Sequence, residues 1–310
     1  MNTQSILISI IIPTYNYAST LYRAISSVQT QMQDVHELII VDDGSTDTTG
    51  LILEELNSQK NPRITCIRKE NGGVSSARNL GITNSRGNYL IFLDADDALT
   101  PHALEHIQNH LNQNPYIGMI IGGYISVWPS GKQRVRLPSK LAKKPFTRLK
   151  NYLLDKNLNF CNGSCVIHRD IFSRGLYPET FRSGEDVPIF AQALANYSVS
   201  VLPAPLCLVY KHKDSLRHQF SHAKAGGLAL VDEVFSENRL GKEFQILKLD
   251  YEVQRTLSLF RSAYLHEDFS SAAFFYKSAI RKNWKIVFKL AYTKKFIRIY
   301  LVKLRLLKSV

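Results

Sequence analysis

The sequence predicts an α/β protein with an open, mostly parallel sheet and helices on both of its faces. Two observations lead to this prediction. Over the first hundred residues, short runs of β-branched and aliphatic residues alternate with segments of helical apolar spacing, and the connections are short and polar. The fourth run, Tyr89–Leu93, consists of large apolar and aromatic residues. Such a run is typical of a strand that is covered on both faces.

The alternation can be followed along the chain. Ile6–Pro13 is a β-branched run and predicts the first strand, and Ser19–Gln31 after it carries apolar residues at helical spacing. Glu37–Val41 and Thr46–Asn57 repeat the pattern. The third and fourth strands and the helix between them are predicted at Ile64–Ile67, Val74–Asn84 and Tyr89–Leu93. A series of β-α units with short connections predicts a parallel sheet.

The pattern changes after residue 100. A helix over Pro101–Asn114 is followed by weaker signals for strands and short helices. These are a strand-like stretch at 117–127, a loop region rich in Pro, Gly and Lys at 129–145, a short helix at 146–154, a short strand at 164–168, a helix from 183 to 195 and a strand-like stretch at 199–210. From about Ser221 to the end, helical periodicity dominates. The fold class therefore includes a helical C-terminal extension.

Polar clusters follow three of the predicted strands at the points where the strands end. They are Thr14-Tyr15-Asn16, Asp42-Asp43-Gly44-Ser45 and Asp94–Asp97. In an open parallel sheet the carboxyl ends of the strands meet at one edge, and ligands bind there. Neither a GxGxxG fingerprint nor a GxxxxGK loop is present, so these clusters do not belong to a dinucleotide or P-loop site.

The last cluster points to a metal ion. Asp94, Asp96 and Asp97 follow a buried strand directly, and carboxylates gathered there repel one another and are costly to bury without positive charge. Oxygen ligands at close spacing suit Mg²⁺ or Mn²⁺, which commonly complete their coordination with water and a substrate phosphate. The alternative is that Asp97 or Thr100 caps the helix near Pro101, which explains only one of the acids.

Composition sets further limits. The chain has 310 residues and a formal net charge of +13, and eleven Lys and Arg with no Asp or Glu lie in Lys277–Val310, so the remainder is close to neutral. No segment reaches the ~20 apolar residues of a membrane span. The start of the chain is too short and polar for a signal peptide, so the cytoplasm is the expected compartment. The four cysteines lack zinc-site spacing and are expected to be reduced.

The basic tail has two interpretations. Within Ala279–Lys308, read as one helix, Arg281, Lys285 and Lys289 fall on one face. An apolar set that includes aromatic residues falls on another face: Trp284, Val287, Phe288, Ala291 and Tyr292. This pattern is typical of a helix that lies in a membrane interface. The alternative is a terminal helix that packs its apolar face on the protein and leaves a solvated basic face.

Four motifs together resemble one known family. They are SIIIPTYN (Ser9–Asn16), IIVDDGSTD (Ile39–Asp47), NGGVSSARNLGI (Asn71–Ile82) and YLIFLDADD (Tyr89–Asp97). Their order and spacing resemble the nucleotide-sugar domain of the inverting glycosyltransferase family 2, which has a Rossmann-like GT-A fold. The resemblance is strong from Ser9 to Asp97 and weaker to about His218. It implies a nucleotide-sugar-binding part at 1–100, an acceptor-binding part at 101–220 and a helical, basic region at 221–310.

The resemblance implies roles for the residues that match the family's motifs. Asp43, with Asp42 as the neighbouring alternative, would accept the imide N–H of uracil. Gly73 and Arg78 would contact the nucleotide or the diphosphate, and the alternative for Arg78 is an ion pair on a helix surface. The nucleoside pocket would be lined by Pro13, Thr14, Tyr15 and Asn16.

The acid cluster receives a more specific role from the same resemblance. Asp94 would meet the ribose or the metal, Asp96 would hold the metal at the diphosphate, and Ala95 lies between them in the donor site. Asp97 would hold sugar hydroxyls or support the site from behind. The implied cofactor is Mn²⁺ or Mg²⁺, and the implied donor substrate is a UDP-sugar.

The family's general base is the Asp of a Glu-Asp pair. Here that position is Asp186, and Glu185 would bind hydroxyls of the acceptor or the donor. An adjacent acid raises the pKa of a carboxyl group, which favours a base. The alternative is that these acids only cap the following helix. His212 resembles a late basic position that closes over the diphosphate, as metal ligand, phosphate contact or surface histidine, and Ser215 and Arg217 follow in the same segment.

The expected function is therefore the transfer of a hexose or N-acetylhexosamine from a UDP-sugar to a hydroxyl of a glycan or lipid-linked acceptor, as in the synthesis of capsule or lipopolysaccharide. Residues 277–310 are expected to meet an anionic membrane on its cytoplasmic side, nucleic acid is disfavoured, and homo-oligomer formation stays open. One alternative is a phosphohydrolase with Asp94 as nucleophile and Asp96 as acid, although Asp97-Ala98 is not the sequence that class requires. Another is a non-catalytic basic scaffold or nucleic-acid-binding protein, which rests on the tail alone.

Overall fold

The protein divides into two compact units, one up to residue 215 and one from residue 216. The computed structural model describes residues 7–212 and 220–307. The described part of the first unit contains a sheet with helices on both faces, and the described part of the second unit is helical. Ser215 and Arg217 lie outside the described residues.

The first unit is built on nine strands. They are β1 (Ile8–Thr14), β2 (His36–Asp42), β3 (Ile64–Arg68), β4 (Tyr89–Phe92), β5 (Ala98–Leu99), β6 (Met119–Val127), β7 (Gln133–Arg136), β8 (Cys165–His168) and β9 (Val199–Tyr210). They form one sheet in the order β3-β2-β1-β4-β8-β6-β9-β5, with β7 paired to β6. The helices are α1 (Ala18–Gln29), α2 (Thr49–Ser58), α3 (Val74–Asn84), α4 (Ala103–Gln113), α5 (Pro145–Lys150) and α6 (Val187–Asn196).

The first four strands are parallel, as predicted. β1 pairs with β2 in a register that sets Thr14 opposite Asp42, and β1 also pairs with β4. The strand ends thus bring the three polar clusters to one edge of the sheet. Backbone and side-chain hydrogen bonds join the first two clusters, since the Asn16 N–H donates to Ser45 Oγ at 2.9 Å and Asn16 Oδ1 accepts from the Thr46 N–H at 2.8 Å.

The second half of the sheet is mixed. β8 runs antiparallel to both β4 and β6, β6 is parallel to β9, and β5 is antiparallel to β9. Two strands were not predicted. β5 has only two residues, Ala98 and Leu99, directly after the acid cluster, and β7 lies in the region that was read as a loop. Their pairing with distant strands stabilises them, so local sequence carries little signal for either.

The apolar core lies on both faces of the sheet. Ile10 and Ile12 of β1 pack on one face in a cluster with α1, whereas Ile11 packs on the other face with Ala77 and Ile82 of α3. All four isoleucines of β1 are fully buried. This double burial explains why the strand reads as an unbroken apolar run rather than as alternating apolar and polar residues.

The second unit consists of five α-helices among its described residues. They are α7 (Phe220–Gly226), α8 (Ala229–Val234), α9 (Lys248–Leu265), α10 (Phe269–Lys282) and α11 (Leu290–Leu307). α9, α10 and α11 share a core that contains Phe260, Tyr276 and Ile299. Among the described helices, none combines the length and the apolar character needed to cross a bilayer.

The prediction of one continuous helix over Ala279–Lys308 is wrong. α10 ends at Lys282, residues 284–288 form a 3₁₀ turn, and α11 begins at Leu290. Asn283 causes the break, because its backbone is extended and its side-chain oxygen accepts the N–H of Lys285 at 3.1 Å. An asparagine side chain that bonds to the local backbone competes with helix continuation.

Close packing of α3 on β1 yields the first prediction. A methyl group on Gly81 of α3 would overlap Cγ2 of Ile11, which is fully buried. We expect Gly81→Ala to lower the free energy of unfolding by about 1–3 kcal/mol, because overpacking outweighs the gain in helix propensity. Urea denaturation measures the change.

Gly50 of α2 is the matched control. A methyl group there would meet only the end of the Arg68 side chain, 2.9 Å from Nη1, and a flexible side chain can move aside. Gly50→Ala is therefore expected to be neutral or stabilising by up to about 1 kcal/mol. Equal stability of the two variants would contradict close packing of α3 on β1.

Candidate active site

The acid cluster forms a tight turn after β4. Asp94, Asp96 and Asp97 each offer a carboxylate oxygen, and these atoms lie within 4.8 Å of one another. The side chain of Asp94 is 42% exposed and that of Asp96 is 20% exposed, whereas Asp97 is buried. Ala95 packs into the core and turns its neighbours outward. Two of the three carboxylates are thus accessible to a ligand.

Mutual repulsion and burial shift the protonation of this cluster. Burial, with the nearby charges of Asp94 and Asp96, raises the pKa of Asp97 to about 9. Asp94 keeps accessible surface but is surrounded by protein atoms, so burial raises its pKa as well, and the Arg78 guanidinium opposes this shift without cancelling it. The protein alone does not supply enough positive charge to keep all three carboxylates ionised at neutral pH.

The alternative in which Asp97 or Thr100 caps the helix near Pro101 is wrong. α4 begins at Ala103, and its preceding residue makes no side-chain cap. Asp97 Oδ1 accepts the backbone N–H of Tyr210 at 3.0 Å, and Thr100 Oγ1 donates to the Pro205 carbonyl at 2.6 Å. These two residues tie the acid turn to β9.

His212 lies beside the cluster, at the end of the first unit's described residues. Its Nε2 is 2.6 Å from Oδ2 of Asp96, and its ring meets the Tyr17 ring edge-on at 6.5 Å between centroids. The backbone carbonyl of Asp96 accepts from Arg23 at 2.5 Å, and the Arg23 guanidinium lies 3.7 Å from the centre of the Tyr210 ring. α1 and the segment that follows β9 therefore hold Asp96 from two sides.

Arg78 connects the acid cluster to the Glu-Asp pair. It is 3% exposed, and its guanidinium donates to Asp94 Oδ1 and to Glu185 Oε1, both at 2.9 Å. Burial opposes the charge of this arginine, but the two carboxylates more than compensate and hold its pKa above the usual value. The interpretation of Arg78 as a surface ion pair is wrong, since the arginine itself is buried and lies at the sheet edge.

Asp186 is the last residue before α6, and its environment differs from that of a helix cap. It is half-buried and makes no side-chain capping hydrogen bond, so plain capping does not account for it. Burial and the adjacent Glu185 carboxylate raise the pKa of Asp186 to about 7, and Arg78 limits the rise. A carboxyl group of this kind exchanges a proton readily near neutral pH.

The neighbouring residue Asn79 fixes the segment that leads to the Glu-Asp pair. Its amide donates to the Tyr177 carbonyl at 2.9 Å and its oxygen accepts the Tyr177 N–H at 3.0 Å. The Tyr177 ring is fully buried and lies 5.1 Å from the guanidinium of Arg78. Consecutive residues of α3 thus place the 177–186 segment against the acid cluster.

Asp43 fixes the turn at the start of α3. Its carboxylate accepts the Gly72 N–H at 2.9 Å, the Gly73 N–H at 2.6 Å and the Lys69 ammonium at 2.8 Å. A carboxylate has about four acceptor positions, so one position remains. Asp42 is fully buried, caps the local turn by accepting the Ser45 N–H, and lies 3.5 Å from Arg68.

The residues that end β1 form the other wall of this region. Pro13 and Thr14 are buried, Thr14 Oγ1 has no hydrogen-bond partner among the described residues, and Tyr15 is 44% exposed. Asn16 adopts a left-handed backbone conformation with φ of 56°. Tyr15 therefore presents an accessible ring beside two polar turns.

Sequence reasoning missed several residues of the site. Arg23, Tyr177 and Tyr210 contact its charged groups, and Arg182 lies so close to Gly73 that a methyl group there would overlap its guanidinium. Gly73 also has φ of +94°, a conformation that favours glycine. Among the residues named here, only Gly73 could be recognised from local sequence, as part of a Gly-Gly pair. The other residues act through contacts between positions far apart in the chain, which a local pattern does not reveal.

An α/β sheet whose parallel strand ends gather carboxylates around a buried arginine agrees with the architecture of GT-A glycosyltransferases. Residues 9–176 match the family model described as Glycosyl transferase family 2. The chain belongs to glycosyl transferase family 2. The predicted family and fold class are thereby confirmed.

Relatives and solved structures agree with this assignment. The chain is 29% identical over 219 residues to the uncharacterized glycosyltransferase EpsJ of Bacillus subtilis, covering 68% of this chain and 62% of that protein. It is 40% identical over 113 residues to the uncharacterized glycosyltransferase alr2836 of Nostoc sp., covering 36% and 35%. The matched stretches span less than two thirds of these relatives.

A structural neighbour is the 1–349 fragment of S. aureus TarS, solved in complex with UDP-GlcNAc. The TM-score is 0.67 at 17% sequence identity, covering 95% of this chain and 89% of that chain. At this identity the likeness establishes the fold.

The buried Arg78 yields the second prediction. We expect Arg78→Met to lower the free energy of unfolding by about 3–5 kcal/mol, because it leaves Asp94 and Glu185 without their shared cation. Chemical denaturation at pH 7 measures this change. Arg63→Met is the matched control, since the Arg63–Asp34 pair is exposed and is expected to contribute about 0–1 kcal/mol. Similar small losses for both variants would contradict a central role for Arg78.

Proposed function

We propose that the chain is an inverting, metal-dependent glycosyltransferase that moves a hexose or N-acetylhexosamine from a UDP-sugar to an acceptor hydroxyl. One observation carries the proposal. A carboxyl group with a pKa near 7, Asp186, is linked through Glu185 and Arg78 to an accessible acid cluster at the ligand-binding edge of the sheet. The TarS neighbour binds UDP-GlcNAc on a similar fold, which supports a UDP-sugar as donor.

The nucleotide end of the donor is proposed to lie between β1 and the start of α3. Tyr15 offers an exposed ring for the base, beside Pro13, Thr14 and Asn16. The remaining acceptor position of Asp43 is assigned to the imide N–H of uracil, and Asp42 shapes the turn beneath it. Gly73 has no side chain, so the nucleotide can approach the backbone closely at this position.

The acid cluster fits a divalent cation. Asp94 and Asp96 offer accessible oxygens, and His212 lies at hydrogen-bond distance from Asp96. Burial and the neighbouring carboxylates raise the pKa values of Asp94 and Asp97, and a bound cation would favour the ionised forms. Mn²⁺ or Mg²⁺ would be held by Asp94, Asp96 and His212, with Asp97 in support. Such an ion supplies electrostatic stabilisation of the leaving nucleoside diphosphate.

Asp186 is assigned as the general base. It accepts the proton of the acceptor hydroxyl while that oxygen bonds to the anomeric carbon, and the bond between this carbon and the diphosphate oxygen breaks. UDP leaves with the electron pair, and the configuration at the anomeric carbon inverts. Glu185 orients sugar hydroxyls from its position beside Arg78, and Arg78 positions both acids.

The acceptor is proposed to be a glycan or a lipid-linked glycan, of the kind used in capsule or lipopolysaccharide synthesis. The proposed place of action is the cytoplasmic face of a membrane. Residues 1–100 are assigned mainly to the donor and 101–220 mainly to the acceptor.

The base yields the third prediction. Because an ionised Asp186 is required and its pKa lies near 7, kcat/KM is expected to rise with pH between about 6 and 8 and then level. Asp186→Asn is expected to lower transfer by about 10²–10⁴-fold and to keep UDP-sugar binding. A coupled assay for UDP release, with thermal shift for binding, measures both. Asp170→Asn, an exposed acid, is the control.

Three results would contradict this assignment. They are a flat pH profile, substantial transfer by Asp186→Asn, and loss of donor binding in that variant.

The metal site yields the fourth prediction. Mn²⁺ at about 100 times its dissociation constant is expected to stabilise the protein by about 2.7 kcal/mol, because it binds the folded state. Asp96→Asn is expected to remove most of that gain and the metal-dependent binding of a UDP-sugar. Asp34→Asn, fully exposed and remote in the fold, is expected to behave like the wild type. A screen of UDP-sugars in the same thermal-shift format identifies the donor, and an unchanged response of Asp96→Asn would overturn the metal assignment.

A further inference from the structure

The second unit carries an exposed surface that is both apolar and basic. On α10, Phe274, Lys277 and Arg281 are exposed and follow one another at helical spacing, so they form one stripe. On α11 a second stripe follows the same spacing and contains Leu290, Lys294, Ile297 and Leu301. The two stripes meet where the Lys277 ammonium lies 5.9 Å from the centre of the Tyr300 ring.

The 3₁₀ turn between these helices and the first residue of α11 expose large apolar side chains. Trp284 is 63% exposed, Phe288 69% and Leu290 63%, and the rings of Trp284 and Phe288 contact each other edge-on at 5.7 Å. Lys285 and Lys289 are exposed between them. We call Phe274, Lys277, Arg281 and residues 284–290, together with the exposed stripe of α11, the basic–aromatic surface.

The fold of the unit does not require these side chains. Its core is filled from the same elements by other residues, including Tyr276, Ile286 and Ile299, each 2% exposed or less. Eight of the nineteen large apolar residues that are exposed in the described chain lie between 274 and 301, so the concentration is local. A helix that exposes apolar side chains opposite its buried face is typical of an interaction surface.

Most cations of the basic–aromatic surface form no ion pair with acidic residues in the described part of the chain. Lys282 pairs with Glu252 at 2.6 Å, but Arg281, Lys285, Lys289, Lys294 and Arg298 form no ion pair with any described residue. The helix dipole accounts only for Arg281 and Lys282, which lie in the last turn of α10. The other cations are exposed and available to an anionic partner.

We propose that the basic–aromatic surface docks on an anionic lipid bilayer, with Trp284, Phe288 and Leu290 inserted among the acyl chains and head groups. Exposed Trp and Phe beside Lys and Arg suit the membrane interface, where aromatic rings sit at head-group level and cations meet anionic lipid. The insertion element is the turn between two helices, not the face of a single helix. The inference goes beyond the proposed function and does not depend on it.

Two other occupants fit less well. A second copy of this chain in a two-fold contact would place the same cations opposite each other, which is unfavourable. Nucleic acid would use the cations but not the exposed Trp284, Phe288 and Leu290, because protein–DNA interfaces are polar. Both remain distinguishable outcomes of the test.

The experiment uses the full chain with Trp128→Phe, so that Trp284 is the single tryptophan. Vesicles of phosphatidylcholine alone, or with phosphatidylglycerol, are added at low and at physiological salt. Binding to the anionic vesicles only, with a blue shift of Trp284 emission and quenching by lipids brominated in the acyl chain, is expected. Lys285→Glu with Lys289→Glu should weaken partitioning at least about tenfold, and Phe288→Ser with Leu290→Ser should abolish the quenching.

Matched controls separate the surface from general effects. Ile246→Ser changes an equally exposed apolar residue of the same unit, and Lys60→Glu with Lys132→Glu gives the same change in net charge elsewhere. Both are expected to bind vesicles like the parent. A UDP-GlcNAc thermal shift, measured in parallel, reports folding and donor binding independently of lipid.

Several outcomes would overturn the inference. They are no binding to anionic vesicles at low salt, binding without quenching of Trp284, salt-sensitive binding to duplex DNA in place of lipid, and self-association that Phe288→Ser with Leu290→Ser removes. Loss of the UDP-GlcNAc shift with retained vesicle binding would instead count against the proposed function alone.

Discussion

The contact on which the site depends is the buried guanidinium of Arg78 between Asp94 and Glu185. Without a cation there, the acid turn after β4 and the acids before α6 would repel each other. Arg78 and the adjacent Asn79 lie on α3, so this one helix sets the position of both groups. The site is therefore held by charge pairing as much as by apolar packing. Burial and the adjacent Glu185 carboxylate raise the pKa of Asp186 to about 7, and Arg78 limits the rise.

Much of this arrangement could be predicted from the sequence. Apolar runs such as Ile10–Ile12 report burial on both faces of a sheet, and polar residues directly after them report the edge at which parallel strands end. The positions of Asp43 and Asp94 at that edge follow from strand order and direction alone. The bounds of α3 and β9 also agree with the prediction to the residue. These features depend on the local residue pattern and on the general rule that β-α-β connections are right-handed. Both are available from the sequence alone.

The remainder depends on contacts between residues far apart in the chain. Arg23 and Tyr210 meet at Asp96 although nearly two hundred residues separate them, and neither has a local pattern that marks it. β5 has two residues and exists because β9 offers it a partner. The break at Asn283 was missed for a different reason. Apolar spacing on either side continues through it, and only the asparagine side chain, which bonds to the backbone of Lys285, interrupts the helix.

Each unit concentrates charge of one sign that it does not neutralise itself. In the first unit, five carboxylates gather near Arg78, and burial together with their mutual repulsion raises the pKa values of Asp94, Asp97 and Asp186. In the second unit, the cations of the basic–aromatic surface lie among exposed aromatic rings without acids beside them. Repulsion within a cluster of like charges makes the unliganded protein less stable than it would be with neutral residues at these positions. A ligand of opposite charge would relieve this cost when it binds, and this would favour the ligand proposed for each unit: a cation with a diphosphate in one case, and an anionic bilayer in the other.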